Sequence, residues 1–261
     1  MGEVLEIAGP AGVISVLDTA PAGGGTGEPV LLIHGINMSR DVWSDVAERL
    51  AYTRRVISFD LRGHGASDKS GPFTADAYAE DALAVLDSLG IGKSHVVGTS
   101  FGGSVASVLA VKSSDKVLTV ASFGGALTID ALNIGDAMAA LRSAGVREFF
   151  TAFLPLGSFV PGTDQVLIDR AIEAASVGRD LDTVIAVILS AVSSDTTAFA
   201  TAVTVPALVV TGELDMTCPV ESGRAVAAAL GTKHHVLSGR GHVLSMEAPD
   251  DVVQLIEQHI T

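Results

Sequence analysis

An α/β fold built around a mostly parallel, eight-stranded sheet is the architecture this sequence predicts. Three observations lead there. Short, nearly all-apolar pieces recur along the chain: "VLLI", "VISF", "HVVG", "VLTVASF" and "ALVVTG". Such pieces suit strands buried on both faces, since a half-exposed strand would alternate polar and apolar residues. Amphipathic helical patterns separate most of them, as parallel strands require. Glycine-containing loops follow several of the strands, where open α/β folds place their sites.

Strands are expected near residues 4–7, 13–18, 30–33, 56–59, 95–98, 117–123, 206–211 and 234–238. The first two have no helix between them and read as an antiparallel pair. Residues 41–51 place Val42, Trp43, Val46 and Leu50 on one helical side. Residues 75–89 do the same with Tyr78, Val85, Leu86 and Leu89, with Thr74 as N-cap and Gly90 as the stop. Helices over 219–230 and 249–259 open on Pro219 and Pro249, because the first helical turn does not need proline's missing N–H. The alternation breaks between about 126 and 200, where helical stretches at 134–144, 146–154, 164–177 and 181–194 succeed one another without a strand. This divides the chain into a core, 1–125 and 200–261, and a helical cap, 126–199.

The chain has 261 residues, 48% of them apolar, enough for one sizeable core. No apolar run reaches the ~18 residues of a membrane span. The N-terminus lacks the basic and apolar regions of a signal peptide. Cys218 is the one cysteine, so no intrachain disulfide forms, and no metal cluster is expected. These features point to the cytoplasm. Net charge is −14, from 16 basic and 30 acidic residues, a field that repels phosphate backbones and anionic lipid. Nucleic-acid and membrane partners are therefore not expected; a small-molecule substrate is. "GGGTG" at 23–27 lacks the following helix that a phosphate loop needs, and no cofactor is expected. Oligomeric state does not follow from the sequence.

The chemistry centres on "HVVGTSFGGSVASVLA", residues 95–110, where a strand becomes a helix. Gly98-Thr99-Ser100-Phe101-Gly102 matches G-x-S-x-G at that junction. A sharp turn would hold the Ser100 hydroxyl above the sheet, and the flanking glycines would let neighbouring backbones approach without Cβ clashes. The new helix would aim its free N–H groups at charge developing beside Ser100. A serine hydroxyl needs a base, and the base an orienting acid. "VVTGELDMTCP" places Asp215 after the penultimate strand, and "HVLSGRGHVLSMEAP" places His242 after the last. Both loops leave the same sheet edge as the Ser100 turn, in the order Ser, Asp, His. Asp130, after the strand at 117–123, is a second candidate acid, although Gly124, Gly125 and Ala126 occupy that strand's end.

At this point the sequence resembles the α/β-hydrolase superfamily over nearly its whole length outside the helical insertion. "LLIHGINMSRDVW" resembles the family's His-Gly oxyanion loop and "DLRGHGASD" the loop after its following strand. With the elbow, "GELDMTCP" and "GRGH", the motifs stand in family order. The resemblance implies Ser100 as nucleophile, His242 as base then acid, Asp215 as orienter, and the backbone N–H groups of Ile36 and Phe101 as oxyanion hole. Each such donor can lower the barrier by roughly 3 kcal/mol. His34 and His64, in the motif loops, are expected to hydrogen-bond locally. His95, His234, His235 and His259 read as structural or surface residues, and Cys218 as packing.

A serine at the elbow argues against the epoxide-hydrolase and haloalkane-dehalogenase branches, which attack with a carboxylate. In the insertion, Phe149, Phe150, Phe153 and Phe159 cluster near Met138; some glue insertion to core and others line an apolar pocket over Ser100. Met216 and Val243, next to the acid and the base, are assigned to the same pocket. Asn37 either touches substrate or caps a turn. Arg142, Arg147, Arg170 and Arg179 read as scattered, announcing no anionic substrate. The leading expectation is a serine hydrolase cleaving an ester or lactone of a small, mainly apolar molecule. The same triad could instead serve C–C hydrolysis, lyase, perhydrolase or cofactor-free oxygenase chemistry, and the scaffold could serve a non-catalytic ligand sensor.

Overall fold

The computed structural model describes residues 2–129 and 134–261. Strands β1 (Glu3–Gly9) and β2 (Gly12–Thr19) form a hairpin, and β3 (Gly27–Ile33) follows. A 3-10 turn (Arg40–Trp43) and α1 (Ser44–Leu50) lead to β4 (Arg54–Phe59). Next come α2 (Ala75–Ser88), β5 (Ser94–Thr99), α3 (Phe101–Lys112) and β6 (Val117–Phe123). Helices α4 (Ile134–Ala144), α5 (Val146–Gly157), α6 (Gln165–Ser176), α7 (Leu181–Val192) and α8 (Thr197–Ala202) precede β7 (Ala207–Gly212). The chain ends with α9 (Val220–Ala229), β8 (His234–Leu237), α10 (Leu244–Glu247) and α11 (Pro249–Ile260).

All eight strands join one sheet in the order β1-β2-β4-β3-β5-β6-β7-β8. β2 runs antiparallel to both its neighbours, and every pairing from β4 across to β8 is parallel. The central strands are apolar throughout because both faces are covered. Val30 and Leu32 join a cluster with α1, α4–α7, α10 and α11, while Leu31 and Ile33 face α2 and α3. Each such side chain, fully buried, contributes roughly 1.5–3 kcal/mol of transfer free energy.

The strand order positions the site. From β3 the chain moves to β4 on one side, then crosses to β5 on the other. The carboxyl ends of β3 and β5 therefore flank a switch point, with Ile33 paired to Gly98. The loops after β6, β7 and β8 leave the same edge in sequence.

Some elements differ from their sequence pattern. The helix expected over 41–51 begins as the 3-10 turn, with the Ser39 hydroxyl accepting from the Asp41 N–H. α5 runs past Leu154 to Gly157 with Pro155 inside its last turn. Pro219 stands at the N-cap of α9, one residue outside the helix, whereas Pro249 opens α11. α8 and α10 escaped the periodicity argument because they are too short to show a 3.6-residue repeat. Between β6 and β7 the described residues contain helices and one isolated bridge, Thr128 to Asp195. Asp130 lies outside the described residues. Among those described, no helix is long and apolar enough to cross a membrane.

Candidate active site

Ser100 joins β5 to α3 with φ 53° and ψ −127°, a strained backbone for an L residue. Its N–H donates to the Phe123 carbonyl at 2.7 Å, which ties the turn to β6. A Cβ on Gly98 would stand 2.1 Å from the Gly102 carbonyl carbon and oxygen, and one on Gly102 would stand 2.4 Å from the Ile33 oxygen. Bare glycines are what allow α3 to start this close to β3 and β5. The Phe101 amide belongs to the first turn of α3, where N–H groups have no intrahelical acceptor. Its side chain turns into the core against Tyr78.

Asp215 and His242 meet at the other end of the same edge. Asp215 Oδ2 accepts from His242 Nδ1 at 2.8 Å, while Oδ1 accepts the backbone N–H groups of Thr217 and Cys218 at 2.9 and 2.7 Å. Both residues are buried. The His242 loop is itself tied down. Its N–H donates to the Ser158 carbonyl at the end of α5, and the Gly241 N–H donates to Glu247 Oε2. Gly124, at the end of β6, lies against the pair. A Cβ there would stand 3.3 Å from both Asp215 Oδ2 and His242 Nδ1, and its φ of 60° favours glycine.

The loop after β3 lies against Ser100, since a Cβ on Gly35 would stand 2.8 Å from Ser100 Cβ. His34 Nε2 receives the Leu61 N–H at 3.0 Å, so that nitrogen must be the acceptor. Nδ1 then carries the proton and donates to the Gly35 carbonyl at 2.7 Å. In a trans peptide the N–H points opposite to the C=O. Holding the Gly35 oxygen therefore sets the direction of the Ile36 N–H. His64 works alike: Nε2 accepts the Asn37 N–H at 3.1 Å and Nδ1 donates to the Arg62 carbonyl at 3.0 Å. Burial pushes both rings below the ordinary histidine range and keeps them neutral. His95, His234 and His259 also find local partners, on Thr119, Thr211 and the Val120 carbonyl.

Ser100 and His242 share a cavity of about 820 Å³, within the range of small-ligand sites. Of the pocket residues expected from sequence, Asn37, Phe150, Phe153, Met216 and Val243 line it, together with Ile36. Met138, Phe149 and Phe159 are not among its lining residues. Phe149 stacks on Phe153, and both it and Met138 pack against the core cluster that α4 and α5 share. Phe159 lies beyond the end of α5, buried and bordering a separate cleft beside Leu156 and Val160. Met38, Val42 and Ile129 line the cavity without having stood out in the sequence. Val42 was legible only as part of a core-facing helical stripe. Cys218 also lines it, and burial raises its thiol pKa, so the thiol stays protonated. Among the described residues, no Arg, Lys, Asp or Glu side chain forms the lining.

A model of the alpha/beta hydrolase family matches residues 30–255. The chain belongs to that family and is an enzyme of the α/β-hydrolase type. Rhodomycin D methylesterase DauP of a Streptomyces species is 36% identical over 159 residues, 56% of this chain and 53% of that protein. The chain thus spans about half the length of that relative. Among solved structures, the enol-lactonase from Burkholderia xenovorans superposes with a TM-score of 0.89 at 22% identity, covering 98% of this chain and 99% of that one. A thermophilic esterase from Thermogutta terrifontis, solved with malate bound, gives 0.84 at 28% identity over 98% and 97%.

Proposed function

We propose that the protein is a serine hydrolase that cleaves an ester or lactone of a small, uncharged, mainly apolar molecule. The observation that carries this reading is the buried Asp215–His242 hydrogen bond, 2.8 Å, beside the same cavity as the strained Ser100. Methylesterase, esterase and lactonase relatives support it.

In this reading the Ser100 Oγ attacks the carbonyl carbon while His242 Nε2 takes its proton. Asp215 keeps the Nδ1 proton facing itself, so that Nε2 is the free base. The backbone N–H groups of Ile36 and Phe101 receive the oxyanion. On collapse, the proton on Nε2 passes to the leaving alkoxide, and an acyl-enzyme remains on Ser100. Water, deprotonated by His242, then releases the acid and restores the serine. In a lactone the alkoxide stays tethered and the product is a hydroxy acid. Among the described residues the lining is uncharged, which favours a neutral substrate, since a buried carboxylate or ammonium would lose hydration without gaining a partner there. Helices α4–α7 act as a cap over Ser100, with Phe150 and Phe153 of α5 as its apolar underside. The reading needs no cofactor and takes the cytoplasm as the enzyme's location.

The test is labelling with a neutral serine-directed phosphonate, read by intact mass, followed by an ester and lactone panel. The expected result is one adduct on the native chain, none on Ser100→Ala, and turnover of neutral esters or lactones only by the native chain. Ester turnover by Ser100→Ala would overturn the serine mechanism. Labelling without ester or lactone turnover would redirect the site to C–C hydrolysis, lyase or oxygenase chemistry.

A further inference from the structure

The loop carrying Ile36 has a support that comes from a distant part of the chain. Asn37 stands at φ 58°, a conformation an L side chain keeps only when held. Its N–H is taken by His64 Nε2. Its Oδ1 accepts from Nη1 of Arg179 at 3.1 Å, so the side chain faces a partner from the turn between α6 and α7. Arg179 also donates from Nε to the Gly63 carbonyl at 3.1 Å and from Nη1 to the Ala175 carbonyl at 3.2 Å. One guanidinium therefore grips α6, the loop after β4 and the loop after β3.

Arg179 is only 8% exposed. Its partners among the described residues are neutral oxygens, and its Nη2 is buried without a partner. Burial lowers its pKa to about 10, so it still carries its charge at neutral pH. A buried cation whose hydrogen bonds go to neutral oxygens, with Asp180 attracting it only through space, is unfavourable by itself, and it acts on what lies next to it. The neighbour is His64, whose ring is kept neutral first by burial and then by the Arg179 charge. A neutral His64 keeps Nε2 available to the Asn37 N–H. Arg179 thus supports Asn37 twice, directly through Oδ1 and indirectly through the histidine that holds its amide.

We infer that Arg179 is a positioning residue for the oxyanion loop: it fixes Asn37, and so anchors the far side of Ile36, whose own N–H direction His34 sets through the Gly35 carbonyl. The inference rests on the serine reaction proposed above. It predicts a loss in the chemical step rather than in substrate binding, because Arg179 does not line the cavity.

The experiment compares Arg179→Met, Arg179→Lys, Asn37→Gly and the double variant Arg179→Met/Asn37→Gly on one neutral aryl ester. Ser100→Ala is assayed alongside, and active sites are counted by phosphonate labelling. Complete loss of an oxyanion donor costs roughly 10²–10³-fold in kcat, so a misdirected donor should cost roughly 10–100-fold. Arg179→Met should lose that much kcat per active site, with KM within about twofold. Arg179→Lys should regain part of it, since an ammonium keeps the charge and can reach one of the acceptors. Asn37→Gly accepts the positive φ and removes the Oδ1 contact, so it should lose kcat similarly, and because Asn37 lines the cavity its KM is free to change as well. The double variant should fall no further than the worse single one. A folded Arg179→Met with unchanged kcat, a change confined to KM, or fully additive losses would overturn the inference. If Arg179→Met does not fold, an unchanged kcat in Asn37→Gly overturns it equally. Turnover by Ser100→Ala would instead overturn the serine reading itself.

Discussion

Asp215→Asn is the substitution whose outcome the structure specifies most closely. Asn is nearly isosteric, but its two terminal atoms are not equivalent. The Oδ1 position of Asp215 faces two donors, the N–H groups of Thr217 and Cys218, at 2.9 and 2.7 Å. An amide NH₂ there would oppose both. The Asn oxygen must therefore take that place, which turns the NH₂ toward His242 Nδ1, now 2.8 Å from Oδ2. Nδ1 then has to accept, the ring proton moves to Nε2, and the nitrogen needed as base is blocked. Both loop amides keep their acceptor, so the loop keeps its shape. The expected loss is about 10⁴-fold in kcat, or about 5 kcal/mol of barrier. The assay is steady-state hydrolysis of a neutral aryl ester, with folding followed by circular dichroism and melting temperature. A folded Asp215→Asn retaining more than a tenth of native turnover would refute the reasoning and return attention to Asp130.

Gly98→Ala puts a methyl 2.1 Å from the Gly102 carbonyl; it should cost about 1–3 kcal/mol or more in urea unfolding, and a loss below about 0.5 would contradict the close approach. Phe150→Ala removes a side chain only 1% exposed and should cost roughly 3–5 kcal/mol, whereas Phe153→Ala, at 44% exposed on the cavity, should mainly raise KM for apolar esters; reversed outcomes would exchange their roles. His95 is lowered from 6.5 to about 4, first by burial and then by the Arg54 charge. Between those values the unfolded chain binds a proton that the folded chain refuses, so stability falls as pH drops from about 6.5 toward 4. This residue contributes at most about 3 kcal/mol to that fall. His95→Gln should flatten this part of a urea-derived stability curve, and an unchanged slope would remove His95 as its cause.

The elements of the sheet and the loops that carry Ser100, Asp215 and His242 were legible in the sequence because their requirements are local. A strand buried on both faces must be apolar at every position. A turn in which α3 starts within 2.1 Å of a Cβ on β5 must have glycine there, and Gly98 and Gly102 announce it without any knowledge of the fold. Chain order added that the three loops leave one edge. What the sequence could not carry is whatever depends on how separate elements cross. That β3 pairs with β5 rather than standing at an edge, bringing Gly35 against Ser100, follows from the winding of the whole chain. Phe149, Phe150, Phe153 and Phe159 look alike in the sequence. The phase of α5 and its docking sort them, with Phe150 and Phe153 on the cavity, Phe149 against Phe153, and Phe159 beyond the helix end. Arg179 looks like one more scattered arginine. It becomes a buried strut only when the turn after α6 meets the loops after β3 and β4, residues 142 and 116 positions away in the chain. Local sterics can be read one residue at a time; a buried charge and its neutral acceptors exist only once tertiary packing has removed the water around them.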